Sequence, residues 1–177
     1  MFQPEGPTFW ELTRQALSST CRGYDLLAPK FDLTPYQTPE AVVAGVTRNI
    51  GEVSSALDVC CGTGAGLEAL AGRPGLTRLV GVDFSGGMLD QARAKLEGCE
   101  ELELIHRDVL EMDFDGEFDL AICLGALGHF VGDDYASLMR NIYRALRPGG
   151  RFVFPAAPAP RTGSLIYWYC LGFNAAL

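Results

Sequence analysis

The sequence is poor in histidine and in bases, and it has no long apolar run. With only His106 and His129, and no C-x-x-C pair among its six cysteines, it offers no zinc-ligand spacing. Its 14 Lys and Arg are outnumbered by 22 Asp and Glu, giving a net charge of −8. A nucleic-acid partner, which needs clustered bases against phosphate, is therefore not expected. The longest apolar stretch, Leu165 to Leu177, is 13 residues and is broken by Asn174. A membrane helix needs ~20, so no span is expected. The first residues have neither a basic region nor an apolar core, so no signal peptide is expected either. Cys60 and Cys61 are adjacent, a poor geometry for a structural disulfide. All six cysteines read as reduced thiols of a cytoplasmic protein.

What is present is an ordinary globular balance, 48% hydrophobic and 20% charged over 177 residues. That excludes wholesale disorder and predicts a single domain with its own core. Two segments are distinguished. Residues 1–50 read as a helical cap on the substrate side. In it, Thr8 caps a first helix, Pro29 and Pro35 mark a loop, and Thr38-Pro39-Glu40 opens a second helix, Pro39 being its first residue. Residues 51–177 read as alternating short strands and helices. Strands are expected at Ala56–Cys60, Arg78–Asp83, Leu102–Ile105, Phe118–Leu124 and Arg151–Phe154. Arg147-Pro148-Gly149-Gly150 reads as the turn ending the helix before the last strand. The strands are apolar on both faces, as parallel strands covered by helices must be. The predicted object is an open, mostly parallel α/β sheet of Rossmann-like type, with its ligand site beyond the carboxyl ends of the strands. Phe9, Trp10, Phe152 and Phe154 read as core.

The sharpest motif is Leu57-Asp58-Val59-Cys60-Cys61-Gly62-Thr63-Gly64-Ala65-Gly66. Alternating glycines after a buried strand let a ligand approach bare backbone, and a helix N-terminus follows. A dinucleotide fold would want G-x-G-x-x-G, but Leu67 holds the third glycine position. A carboxylate at Asp58 would repel a pyrophosphate and welcome an ammonium or sulfonium group. Asp83 ends the second strand, 17 residues after Gly66, where a carboxylate can accept ribose hydroxyls. Asp108 and the backbone N–H of Val109 could bracket an adenine edge, with Phe84 and Met88 on its faces. His129, just after the fourth strand, could act as a base or hydrogen-bond donor, although a packing histidine explains the same residue. Tyr24 and Tyr36 could line an acceptor pocket or simply pack. Cys60 and Cys61 read as small residues fitting a crowded loop rather than as a redox pair.

Together these residues resemble the class I S-adenosylmethionine-dependent methyltransferases. The likeness runs from about Tyr24 to Phe154. It rests on five features in family order: the glycine-rich motif, Gly81-Val82-Asp83-Phe84-Ser85, Arg107-Asp108-Val109, the strand Phe118–Cys123, and Leu146–Gly150. The Cys-Cys-Gly-Thr-Gly wording looks most like small-molecule members, including quinone-biosynthesis C-methyltransferases. The resemblance implies S-adenosylmethionine as cofactor. Asp58, Cys60 and the turn Gly62, Thr63, Gly64, Gly66 would hold its methionine portion. Asp83 would bind the ribose, and Asp108 and Val109 would read adenine. Leu124 would offer a carbonyl to the amino group. The reaction would be in-line transfer of the methyl group to a small acceptor.

Three departures stand out. Cys60 replaces the first glycine of the family's D-x-G-x-G-x-G. Gly86 and Gly87 weaken the start of a helix. Beyond the fifth strand the family continues through a helix and a hairpin, which would take ~30–50 further residues. The chain is accordingly expected to be truncated or split, with Leu165–Leu171 covering the open edge or forming a homodimer surface. Two alternatives follow from other classes. One is a cofactor-binding domain not competent alone. The other is a nucleotide-sugar or dinucleotide binder, which the glycine spacing and Asp58 disfavour.

Overall fold

The computed structural model describes residues 5–156 and 162–164. Cys170 and the apolar segment from Leu165 onward lie outside the described residues. Five strands form one sheet: β1 (Ser55–Val59), β2 (Arg78–Asp83), β3 (Leu102–His106), β4 (Phe118–Ile122) and β5 (Leu146–Val153). Their order is β3-β2-β1-β4-β5, and every pairing is parallel. Strand order reverses between β1 and β4, which opens a crevice at their carboxyl ends.

The continuous apolar runs serve two cores, one on each face. Ala56, Leu79, Leu120 and Ile122 face one side, against Leu67 and Leu70 of α4 (Ala65–Leu70) and Leu89 of α5 (Gly86–Lys95). Leu57, Val59, Val80 and Phe118 face the other, against Leu138 and Ile142 of α6 (Gly132–Ala145). Every residue of β1 is buried, so the central strand can be apolar on both sides. The edge strand β3 is only partly buried.

The N-terminal segment is helical as expected. It comprises α1 (Phe9–Ala16), α2 (Thr20–Leu27), a 3₁₀ turn at Ala28–Leu33 and α3 (Glu40–Thr47). Thr8 caps α1 in a reciprocal capping box with Glu11. Three expectations are corrected. Thr38 does not cap α3; Pro39 holds the N-cap position and the Thr38 hydroxyl donates to the Leu124 carbonyl at 3.4 Å. Phe9 and Trp10 are 73% and 76% exposed, because α1 buries no residue under any described element. Phe154 is also exposed, while Phe152 packs against the second core. Finally, Arg147–Gly150 is not outside the sheet. Phe118 pairs with Leu146 and Leu120 with Arg151, so the turn is a bulge carried within β5. Among the described residues, no helix is long and apolar enough to cross a membrane.

Candidate active site

The crevice at the strand ends is a cleft of about 800 Å³. Every candidate residue named from the sequence lines it except Gly64. Asp58 lies one residue before the end of β1, on the face toward α4, and is 1% exposed. Neither of its carboxylate oxygens meets a hydrogen-bond partner in good geometry; the Leu67 N–H only partly opposes the cost of burial. Burial pushes its pKa well above the usual carboxylate range, and the neighbouring Cys123 and Asp83 add to the rise. Gly66 explains how the carboxylate is housed. A Cβ there would run into Asp58 Oδ2 and would lie 2.7 Å from Ile122 Cδ1. Gly64 serves a different purpose. Its φ is +87°, and a Cβ would sit 3.1 Å from that of Ala92, so it is a packing glycine between the loop and α5.

Cys60 is the departure from the glycine pattern, and the structure shows what the departure entails. It has φ +59°, the only non-glycine with positive φ among the described residues. A side chain thus sits where the backbone geometry favours glycine.

Asp83 is buried at the end of β2 and organises both loops around it. Its Oδ2 accepts from the Gly62 N–H at 2.8 Å, and its Oδ1 accepts from the Ser85 N–H at 2.9 Å. Burial raises its pKa, opposed by these backbone donors. A carboxylate has about four acceptor sites, so lone pairs remain for a ligand in the cleft. Asp108 caps a 3₁₀ turn at Val109–Glu111 by accepting from the Leu110 N–H at 2.9 Å. Asn141 of α6 donates to the carbonyls of Val109 and Leu110 at 3.2 and 2.8 Å, fixing that turn.

The N-terminal segment roofs the same cleft with Tyr24, Phe31, Tyr36 and Thr38. The Tyr24 hydroxyl lies 3.2 Å from His129 Nε2, and the two rings are perpendicular. Burial raises the Tyr24 phenol. Two aspartates tie the segment down. Asp25 Oδ1 accepts from the Ser85 hydroxyl at 2.6 Å and the Gly87 N–H at 3.0 Å. Asp32 accepts from the Thr63 hydroxyl at 2.6 Å and pairs with Lys95 at 2.5 Å. Sequence reasoning missed Asp25 and Asp32, and it read Thr38 as a helix cap rather than a partner of Leu124, since the contacts that define these roles lie 60, 31 and 86 residues away.

The cleft is one-signed. Asp58, Asp83, Asp108 and Asp134 line it, and among the described residues no Lys or Arg does. A buried carboxylate without a well-placed partner is costly unless a ligand supplies a cation or donors. The residues present therefore fit a ligand with a positive end, a sugar diol and a flat ring. They do not fit a pyrophosphate.

Comparison with known proteins agrees. A family model described as a methyltransferase domain matches residues 56–150. The demethylmenaquinone methyltransferase of Bacillus licheniformis is 36% identical over 128 residues, covering 71% of this chain and 54% of that protein. The same-named protein of Staphylococcus saprophyticus is 34% identical over the same shares. The chain thus spans about half the length of the curated relatives it matches. Among solved structures, the DhpI–SAM–HEP complex has TM-score 0.64 at 23% identity, covering 84% of this chain and 67% of that one. N-methyltransferase NodS from Bradyrhizobium japonicum WM9, in complex with S-adenosyl-L-homocysteine, has TM-score 0.62 at 22% identity, covering 82% and 71%. The chain belongs to the methyltransferase-domain family and has the fold of the class I S-adenosylmethionine-dependent methyltransferases.

Proposed function

We propose that the chain binds S-adenosylmethionine and transfers its methyl group to a small, uncharged acceptor. The observation that carries this reading is the buried Asp58 carboxylate in a cleft that, among the described residues, no Lys or Arg lines. When bound, the cofactor supplies an electrophilic methyl on a sulfonium. Asp58 receives the ammonium end, and the Leu124 carbonyl offers a second acceptor beside it. Cys60 and the Gly62–Gly66 turn enclose the methionine portion. Asp83 accepts the ribose hydroxyls. Asp108 and the Val109 N–H read the adenine edge, with Phe84 and Met88 on the ring faces. The protein's own contribution is to position, and to exclude water from, two groups held in line.

Residues 1–50 form the acceptor side of the same domain. Tyr24, Phe31, Tyr36 and Phe130 make its walls aromatic. With no Lys or Arg among the described lining residues, phosphate- or carboxylate-bearing acceptors are disfavoured. A quinol or phenol fits, and the demethylmenaquinone methyltransferase relatives are in keeping with it. His129, held against Tyr24, is placed to take a phenolic proton.

The test is titration calorimetry with S-adenosylmethionine and S-adenosylhomocysteine, run beside NADH, on the natural chain and Asp83→Ala. Saturable binding of the methyl-donor pair, weakened at least tenfold in the variant, is expected. Binding of NADH alone overturns the reading. Methyl transfer to a naphthoquinol, followed by mass spectrometry, then separates turnover from cofactor binding.

A further inference from the structure

The glycine pattern puts a cysteine on the cofactor loop, and the sheet puts a second one beside it. The β1–β4 ladder pairs Asp58 with Ile122, so Val59 lies at the level of Cys123, and Cys60 is one residue beyond. Strand spacing of ~4.8 Å and a rise of ~3.3 Å per residue put the two Cα atoms within the ~4.4–6.8 Å a disulfide spans. Both side chains meet in the same cluster, Cys123 within the second core and Cys60 packed against it. Cys60 lines the cleft and is partly exposed, whereas Cys123 is fully buried behind it. The neighbouring Cys61 is not its partner. That thiol points to the other face of the sheet, into the core with Leu67 and Leu79.

We propose that Cys60 and Cys123 form an oxidisable dithiol, and that its disulfide closes the methionine end of the cofactor cleft. Cys60 Sγ attacks one oxygen of hydrogen peroxide, the O–O bond breaks, and the departing hydroxide takes the Cys60 proton and leaves as water. Cys123 Sγ then attacks the sulfenic sulfur. The S–S bond forms, the S–O bond breaks and water leaves. Two thiols lose two electrons and two protons, and hydrogen peroxide ends as two waters. The disulfide ties the loop that encloses the methionine portion to the strand end whose next residue, Leu124, offers its carbonyl. Two surfaces that grip the ligand then cannot separate to admit it.

The full chain is treated with hydrogen peroxide while folded, digested without reductant and mapped by mass spectrometry. A peptide linking Cys60 to Cys123 is expected, reversed by dithiothreitol and absent from Cys60→Ser and Cys123→Ser. S-adenosylhomocysteine affinity should fall at least tenfold on oxidation and return on reduction. In each variant, peroxide should leave the affinity at that variant's own value. A map showing this pair still as free thiols overturns the proposal, and so does a disulfide that leaves affinity unchanged. The map does not depend on ligand, so failure of the cofactor reading is seen separately, as no binding by the reduced protein.

Discussion

Asp58 sets two demands against each other, and one substitution separates them. In the ligand-free chain it is a buried acid with no well-placed partner, so the charged form costs stability. Its folded pKa is raised, so the unfolded chain gives up the proton first. Stability therefore falls as pH rises from about 4 toward the folded pKa. Asp58→Asn should raise the Tm of the ligand-free protein at pH 7. The gain should vanish below about pH 4, where the acid is protonated in both states. The same variant should bind S-adenosylhomocysteine at least tenfold more weakly. Thermal melts across pH, with and without ligand, check both halves. Asp58 was legible in the sequence because a charge near the end of an apolar strand is conspicuous. The strained backbone at Cys60 was not, since only the structure shows which residue of the loop takes positive φ.

At the level of elements, Gly86 and Gly87 read from sequence as equal weaknesses at the start of α5, but they differ. A Cβ on Gly86 would meet only the His106 ring, at 3.6 Å, which is ordinary contact. A Cβ on Gly87 would lie 3.1 Å from Asp25 Cα and 3.2 Å from its carbonyl oxygen, both backbone. Gly86→Ala should be neutral or stabilising by up to ~1 kcal/mol, since helix propensity favours alanine. Gly87→Ala should cost ~1–3 kcal/mol, because α2 must move away. Denaturant melts of the two variants, differing by one methyl at adjacent positions, test the packing of the cap. The strands themselves were read closely, because their apolar runs and glycine turns are local signals. The bulge within β5 was not: Pro148-Gly149-Gly150 has the chemistry of a helix stop, and pairing with β4 carries it into the sheet. The docking of α2 on α5 was equally invisible, since Asp25 and Gly87 are 62 residues apart.

For the molecule as a whole, Asp119 ties β4 to the start of β1 and to β5. Its Oδ2 accepts from the N–H groups of Ser54 and Ser55 at 2.9 and 3.0 Å and from both hydroxyls. Its Oδ1 meets Arg147 at 2.9 Å. The hydrogen bonds, those from Ser54 foremost, hold its pKa far below the usual range. Here the sign is opposite to that of Asp58: the contribution is full above about pH 4 and fades as pH falls below it. Asp119→Ala should cost ~2–4 kcal/mol at pH 7, and the cost should shrink in acid, as urea melts at pH 7 and pH 3 would show. The acidic anchor thus sits at the amino ends of the strands, and the four carboxylates of the cleft sit at the carboxyl ends. The cleft's single sign has a kinetic consequence. A sulfonium donor arrives with one more positive charge than it carries after giving up its methyl. On the proposed reading, the wall that draws the fresh donor in holds the spent one less tightly, so the electrostatics that load the site also help to empty it, and added salt narrows the difference.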